Sequence, residues 1–498
     1  MLGVGQEVSR TFRGLFARTY ASLRERFVFK FSLRTTLLVG TAVRLLLMPF
    51  TAHPFDVYAW YMYCMDVLSH GFDFSVLKSV YSLWLLTLTP IAFVYGFLSS
   101  ATGWGATAVD ALPASFNPHY GIAWVPGPLF NTLVKVPMLL ADVGTALVLY
   151  RLMKRFSKTG LAEKMVALFY LNPISIWISS GWGQNDAIPA FFTVLSVYLL
   201  LGDRVVPSAI SLLFATLFKV YPAAFIIPAS VYLFKRGKQK KLLKYLPFFI
   251  VPYSIFLVSS GVQAVNNLSS LILGFFLPRG ALNGVFGFGL TYWSWSMVVP
   301  LDPNIWAPVS ALLMTVLFSI SLYFVLKARF DDPLKGLTMA AYLVAAAFFL
   351  SSNLVSEARF VWLLPFLVLL VGEGVVSVKL FGLISLTAFL YTQKNFPYYL
   401  LPVATLNSDV LSPLFRIAAP FGDVVQGALL PSSAGAVILA ALGTLFSMLI
   451  LMTSFKVLRG VEPGRPPNRT FTGKPVGTEA TCTKLRLLWK FPFHRFTS

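Results

Sequence analysis

Charge is scarce in this chain. Only 12% of its 498 residues are Asp, Glu, Lys or Arg, about half the share of a soluble globular domain. With 57% hydrophobic residues and a mean hydropathy of +0.74, it cannot be a water-soluble globule. Runs of strict apolar–polar alternation are missing too, which excludes a transmembrane barrel. Long apolar stretches broken by short polar turns then leave the helix as the way to satisfy every backbone group inside lipid. The expected fold class is all-α, a polytopic integral membrane protein. Cysteine is nearly absent. Cys64 and Cys482 fall in segments expected on opposite sides of the membrane, so neither a disulfide nor a cysteine metal cluster is expected.

Acidic residues are the scarcer sign, 19 against 40 basic, for a formal net charge of +21. The basic residues crowd the tails and the short connecting loops, as the positive-inside rule requires, rather than building a nucleic-acid-binding patch. Arg10, Arg13, Arg18, Arg24, Arg26, Lys30 and Arg34 precede an apolar run without a small-residue cleavage site. Residues 1–35 are therefore expected to be a basic cytosolic segment ahead of a retained first span.

The apolar run 37–49 carries the chain outside. The run 133–149 ends at Arg151, Lys154, Arg155 and Lys158, which belong inside, so the chain must already be outside when that run begins. Residues 83–98 are accordingly expected as an amphipathic or re-entrant helix on the outer face, within a large first external loop at about 53–130; a hidden crossing at 124–133 is the competing arrangement. The basic stretch Lys235-Arg236-Gly237-Lys238-Gln239-Lys240-Lys241 marks the inner side, and a second external loop falls at about 261–305. Over a transmembrane domain of 36–456 this amounts to about 12 spans, several with only about 10–15 apolar residues where a plain span needs about 20. Short, broken helices of that kind line cavities. Residues 457–498 have the composition of a basic, disordered cytosolic tail.

With this topology Asp56, Asp66, His70, Asp73, His119, Gln184, Asn185, Asp186, Lys219, Arg279, Glu357 and Arg359 gather at the outer face, the arrangement of an outward-opening site. Each has a plain structural alternative. Asp66 and Asp73 are expected to be solvated or helix-end residues. Asp186 suits the N-cap of a helix starting at Ala187, and Lys219 and Arg359 suit snorkelling at the interface. Asp142, deep in an apolar run, is expected to pair with a polar helix neighbour such as Lys135. Asp56, directly after the first span, is the group least easily dismissed.

Several of these stretches have a familiar order. Val43-Arg44-Leu45, His53-Pro54-Phe55-Asp56-Val57-Tyr58 with Asp66 and Gly71 following, Tyr150-Arg151-Leu152, Leu171-Asn172-Pro173, Ser179-Ser180-Gly181-Trp182-Gly183-Gln184-Asn185-Asp186 and Phe218-Lys219-Val220-Tyr221-Pro222 resemble the catalytic subunits of GPI mannosyltransferase I. More broadly, they are similar to the GT-C superfamily of polyprenyl-phosphate-sugar-dependent glycosyltransferases. The similarity covers about 40–230, and is weaker at Arg279 and at Ala358-Arg359-Phe360-Val361-Trp362-Leu363-Leu364-Pro365.

The resemblance implies transfer of a sugar, expected to be mannose, from a lipid phosphate donor such as dolichyl phosphate mannose to an acceptor hydroxyl at the outer or lumenal face. The host would be the plasma membrane of a prokaryote or the endoplasmic reticulum of a eukaryote. It also implies a catalytic carboxylate in the first external loop, the place of Asp56, and juxtamembrane helices in that loop. The GPI enzymes carry Asp-x-Asp there, whereas this chain has Pro54 at the first position, which argues against a two-carboxylate metal site.

In an inverting transfer one group accepts the proton of the attacking hydroxyl while cations balance the charge growing on the departing phosphate. Asp56 is the expected base; Lys219, Arg279 and Arg359 are the expected phosphate ligands. Gln184, Asn185, Asp186 and Tyr58 are candidates for contacting the substrate. His53 and His119 with Asp56 would make only a scattered metal set. No cofactor is called for; the partners are the lipid-phosphate donor, a lipid-linked, glycolipid or protein acceptor, and membrane lipid. A transporter or flippase is the alternative class, but it would be expected to show inverted repeats with paired broken helices near the midplane, and no such repeat is visible.

Overall fold

The computed structural model describes residues 32–73, 82–117, 121–156, 159–259, 288–299, 302–352, 354–418 and 434–461. The described residues are mostly helical. In order the helices are α1 (Leu33–Leu47), α2 (Pro54–His70), α3 (Ser82–Thr102), α4 (Pro128–Phe156), α5 (Thr159–Tyr170), α6 (Pro173–Ile176), α7 (Ala187–Leu201), α8 (Val205–Phe218), α9 (Ile226–Lys235), α10 (Gln239–Ser259), α11 (Pro303–Lys327), α12 (Pro333–Ser351), α13 (Phe360–Gly372), α14 (Val378–Thr392), α15 (Leu401–Ala404), α16 (Ser412–Ala418) and α17 (Ala434–Val461). Two small pairings accompany them: β1 (Ala106–Ala108) lies antiparallel to β2 (Trp124–Pro126), and β3 (Phe288–Gly289) parallel to β4 (Leu354–Val355).

Helix starts follow local chemistry. Ser32 accepts from the Thr35 amide, Asn172 from the Ile174 amide, Asp332 from the Lys335 amide and Ser377 from the Leu380 amide, each meeting one of the unpaired donors of a first turn. Pro54, Pro173 and Pro333 occupy first-turn positions, where the missing N–H is no loss.

Among the described residues six helices are long and apolar enough to cross a membrane: α3, α4, α10, α11, α12 and α17; α5 with the bent segment 173–182 makes up to seven. Length and composition thus give fewer crossings than the expected twelve or so, because that count includes helices such as α7 and α8, which have 15 and 14 residues. Burial separates the layers. The apolar window of α12 is 94% buried within the protein and that of α10 only 11%, so α12 is surrounded by other helices while α10 presents its side chains to lipid.

Residues 83–98 belong to α3, whose 20-residue segment Leu83–Thr102 has the length and hydropathy of a crossing, and the β1–β2 pairing brings its C-terminal end beside the start of α4. Cys64, on α2, is buried with its thiol against the Leu88 carbonyl of α3. The 1–31 part of the basic N-terminal segment and residues 462–498 of the tail lie outside the described residues, whereas 457–461 close α17 as ordinary helix.

A buried ion pair holds the first half together. Arg44, on α1 and fully buried, directs Nε to Asp142 Oδ2 of α4 at 2.9 Å. Its other nitrogens donate to the carbonyls of Gly40 (3.2 Å) and Tyr170 (2.7 Å) and to Ser175 Oγ (3.0 Å), and the guanidinium lies over the Tyr170 ring. The expected Asp142–Lys135 pair is therefore not formed. Lys135 points elsewhere, donating to the carbonyls of Met48 (3.1 Å), Thr51 and Gly181 (3.3 Å). The buried lysine thus collects two carbonyls just after α1 and one from the turn at Gly181.

Candidate functional site

Asp56 sits in the first turn of α2, and three separate anchors fix that turn. The Ala52 amide donates to the Tyr399 carbonyl and the His53 amide to the Trp182 carbonyl, both at 2.8 Å, while Lys135 binds the Thr51 carbonyl two residues earlier. The Trp182 partner comes from a π-helical turn, Trp177–Trp182, a form concentrated at functional sites because the extra residue redirects side chains. Ser179 of this turn donates to Asp142 Oδ2 at 2.6 Å, tying it to the buried pair. Gly183 ends it at φ +90°, where a Cβ would lie 2.9 Å from Lys135 Cε and 3.0 Å from Val57. Only glycine suits both the backbone and the space.

The Asp56 side chain is 20% exposed. Its Oδ2 accepts from Trp182 Nε1 at 2.6 Å and lies 3.2 Å from His53 Nδ1; Oδ1 has no hydrogen-bond partner among the described residues. The imidazole of His53 stacks on the Trp182 indole, centroids 4.6 Å apart at 14°, and its Nε2 is 2.8 Å from Asn395 Nδ2. Burial lowers the His53 pKa below its ordinary value; the Asp56 and Glu357 carboxylates oppose this and the Lys394 ammonium adds to it. Glu357 and Lys394 form a second buried pair, Nζ to Oε1 3.0 Å.

A second cluster lies a few residues further along the same segment. Asp186 is fully buried, and its carboxylate accepts from Lys219 Nζ (Oδ2, 2.7 Å) and the Tyr221 hydroxyl (Oδ1, 2.7 Å). Gln184 Oε1 accepts from the same Lys219 at 3.3 Å. Asp186 stands at the N-cap position of α7 but in helical conformation, with no side-chain bond to a helix amide, so the capping alternative is set aside. Lys219 keeps 16% exposure. Asn185 is 1% exposed and neither atom of its amide has a partner among the described residues, a costly state for a buried polar group.

Beside this cluster runs a groove of about 510 Å³. Tyr221, Ala224 and Ile227 form one wall, Met314 and Phe318 of α11 another, and Phe348 of α12 closes it. Tyr221 is the residue bound to Asp186, and Arg359 lies with its guanidinium 5.8 Å from the Phe348 ring centre. Two lining residues of the groove, Tyr221 and Phe348, thus also touch Asp186 and neighbour Arg359, respectively.

Asp56, on α2, is joined through Trp182 to the segment that carries Gln184, Asn185 and Asp186, and Lys219 binds that segment directly. Tyr58 is set apart: two positions along α2 from Asp56, about 200° around the helix, its ring packs with the apolar cluster of Val109, Phe116, Ile122 and Val125. Asp66 and His70 form an exposed pair on α2, 63% and 78% accessible, as expected of solvated helix-end residues. Arg279 and His119 lie outside the described residues. Among the described residues no three His, Cys, Asp or Glu side chains converge as a metal set. Sequence reasoning missed Trp182 as the partner of Asp56 and Asn395 as the partner of His53. The available signal was the polar Gln393-Lys394-Asn395 interruption after the apolar run of α14.

Comparison with known proteins finds similarity over parts of the chain. The family model for the GPI transamidase subunit PIG-U matches residues 120–305. Among curated proteins the chain is similar to GPI mannosyltransferase 1 of Trypanosoma brucei brucei (30% identity over 102 residues, 20% of this chain and 24% of the relative). It is likewise similar to GPI mannosyltransferase 1 of Candida albicans (29% over 123 residues, 24% and 30%) and of Kluyveromyces lactis (26% over 116 residues, 23% and 27%). The chain thus covers about a quarter of the length of the relatives it matches. The resemblance read from the sequence motifs is the one these comparisons return.

Proposed function

We propose that this protein is a membrane mannosyltransferase that moves the sugar from a polyprenyl- or dolichyl-phosphate donor to a hydroxyl of a glycolipid, lipid-linked or protein acceptor, with inversion. The observation that carries this is the Asp56 carboxylate: one oxygen held by Trp182, the other open, on a partly exposed side chain in an otherwise apolar protein. The open Oδ1 takes the proton of the acceptor hydroxyl as its oxygen bonds to the sugar's anomeric carbon. The bond from that carbon to the phosphate oxygen breaks, and the electron pair leaves with the lipid phosphate.

The groove beside Tyr221 suits the first stretch of an apolar lipid chain. Arg359 and Lys219 then face the phosphate at its end, the guanidinium as a fork and the ammonium as a point charge. Arg279 is the third candidate for the phosphate. Asn185, with an unmatched buried amide, suits a sugar hydroxyl.

Orientation supports an outward site. Asp203, in the turn between α7 and α8, is bound by Lys238 and Lys241 of the basic stretch, so that turn lies at the inner end. The Asp186–Lys219 pair is at the opposite end of the same hairpin, about 22 Å away along α7. The shorter helices α7 and α8 then count as further crossings, toward the expected twelve or so, and the membrane is the endoplasmic reticulum in a eukaryote.

The test is transfer of radiolabelled mannose from polyprenyl phosphate in membranes carrying the protein. Asp56→Asn should lower turnover about 10²- to 10⁴-fold with normal amounts of protein in the membrane. Undiminished transfer by this variant would remove the base assignment, and solute movement without incorporation would favour a transporter.

A further inference from the structure

We propose that His53 is a positioning residue for Asp56, set by Asn395 so that its Nδ1–H joins the Trp182 N–H on one carboxylate oxygen and leaves the other free to accept a proton. This rests on Asp56 being the base.

The argument begins with the ring. In a neutral imidazole one nitrogen donates and the other accepts. Asn395 presents its amide nitrogen to Nε2 at 2.8 Å; a donor there requires a bare Nε2, and the proton then sits on Nδ1. Nδ1 lies 3.2 Å from Asp56 Oδ2. The stack on Trp182 fixes the ring plane, and the same indole supplies the second donor, Nε1, to the same Oδ2 at 2.6 Å. In that tautomer Oδ2 has two donors, themselves stacked face to face, which leaves the carboxylate little freedom to rotate.

The opposite tautomer has a different use. The Asp56 amide approaches Nδ1 at 3.3 Å, the contact of a helix N-cap. That bond needs a bare Nδ1, hence a proton on Nε2 and the Asn395 amide turned to offer its oxygen. In that state His53 would only cap α2, and a lone pair would face the carboxylate. Asn395 therefore selects between a capping and a positioning histidine, and the amide orientation in the structure favours the second. The charged groups facing the ring are Asp56 on its own helix, Glu357 from the turn before α13 and Lys394 from the turn after α14. The latter two are paired with each other, leaving Asp56 as the carboxylate for the ring to serve.

The experiment measures kcat and donor and acceptor KM for His53→Asn, Asn395→Leu and Asp56→Asn in the full-length protein, with thermal unfolding of each in detergent. Asn at 53 keeps a good helix cap but cannot span from Asp56 to Asn395; Leu at 395 leaves the histidine in place without its selector. A carboxylate free to swing by an ångström should cost up to about 100-fold, so both are expected to lose about 10- to 100-fold in kcat with KM nearly unchanged. Unimpaired kcat in both, with Asp56→Asn inactive, would overturn the role of His53 alone. So would losses that disappear once activity is scaled to folded protein, since His53 would then be only a cap. Full transfer by Asp56→Asn would overturn the base reading on which the proposal stands.

Discussion

Replacing Asp142 by Leu should be among the most damaging changes available outside the site, and the reason can be worked from its partner. Arg44 is fully buried and makes three hydrogen bonds to neutral groups besides the one to Asp142. Removing the carboxylate strands that charge, at about 3–5 kcal/mol for one member of a buried pair. Arg44→Met should cost a similar amount, because Asp142 keeps only Ser179 as a donor and its Oδ1 has no partner. An apolar pair of like volume at both positions is often nearly neutral. The Arg44→Met/Asp142→Leu double variant should therefore be more stable than the two single costs imply by at least about 3 kcal/mol. Lys135, two turns from Asp142 on α4 and bound to other groups, should couple to it by no more than about 0.5 kcal/mol. Equilibrium unfolding in mixed detergent–SDS micelles, followed by tryptophan fluorescence, measures both cycles. A larger coupling of Asp142 to Lys135 than to Arg44 would refute the assigned pairing.

Two further outcomes follow from the geometry around Asp56. Gly183→Ala imposes a Cβ on a φ of +90° and against Lys135 and Val57; it should cost more than about 1 kcal/mol and lower kcat by displacing Trp182, both read from unfolding and transfer assays. His53 has a pKa lowered by burial from 6.5, so the unfolded chain binds its proton more readily than the folded one. The stability it contributes is present above about pH 6.5 and is lost as pH falls toward the folded value. Wild-type protein should lose stability on acidification through that range and His53→Asn should lose less, as unfolding at a series of pH values would show.

The pairings differ in how far they could be read from the chain. Asp56, Asp186 and Lys219 stood out because an ionisable group in apolar surroundings is costly and therefore needs a reason. Glu357 was noticed for the same cause, though its partner Lys394 was not. The Asp142–Lys135 expectation failed because it looked for a partner along one helix, while Arg44 is 98 positions away on another. His53 and Asn395 are 342 positions apart, and no local pattern marks either as the other's neighbour.

Composition by itself determined that this protein lives in a membrane and is helical, because transfer into lipid and the satisfaction of backbone groups sum over local residues whatever their distant contacts. It also singled out Asp56, whose place after the first span and within a recurring motif is a property of the linear chain. Which oxygen of Asp56 is open, which histidine nitrogen faces it, that Arg44 rather than Lys135 neutralises Asp142, and that Tyr221 lines an apolar groove while binding Asp186 were decided only by tertiary packing. Each depends on groups brought together across long separations, where a few tenths of an ångström and the identity of a single donor fix the chemistry.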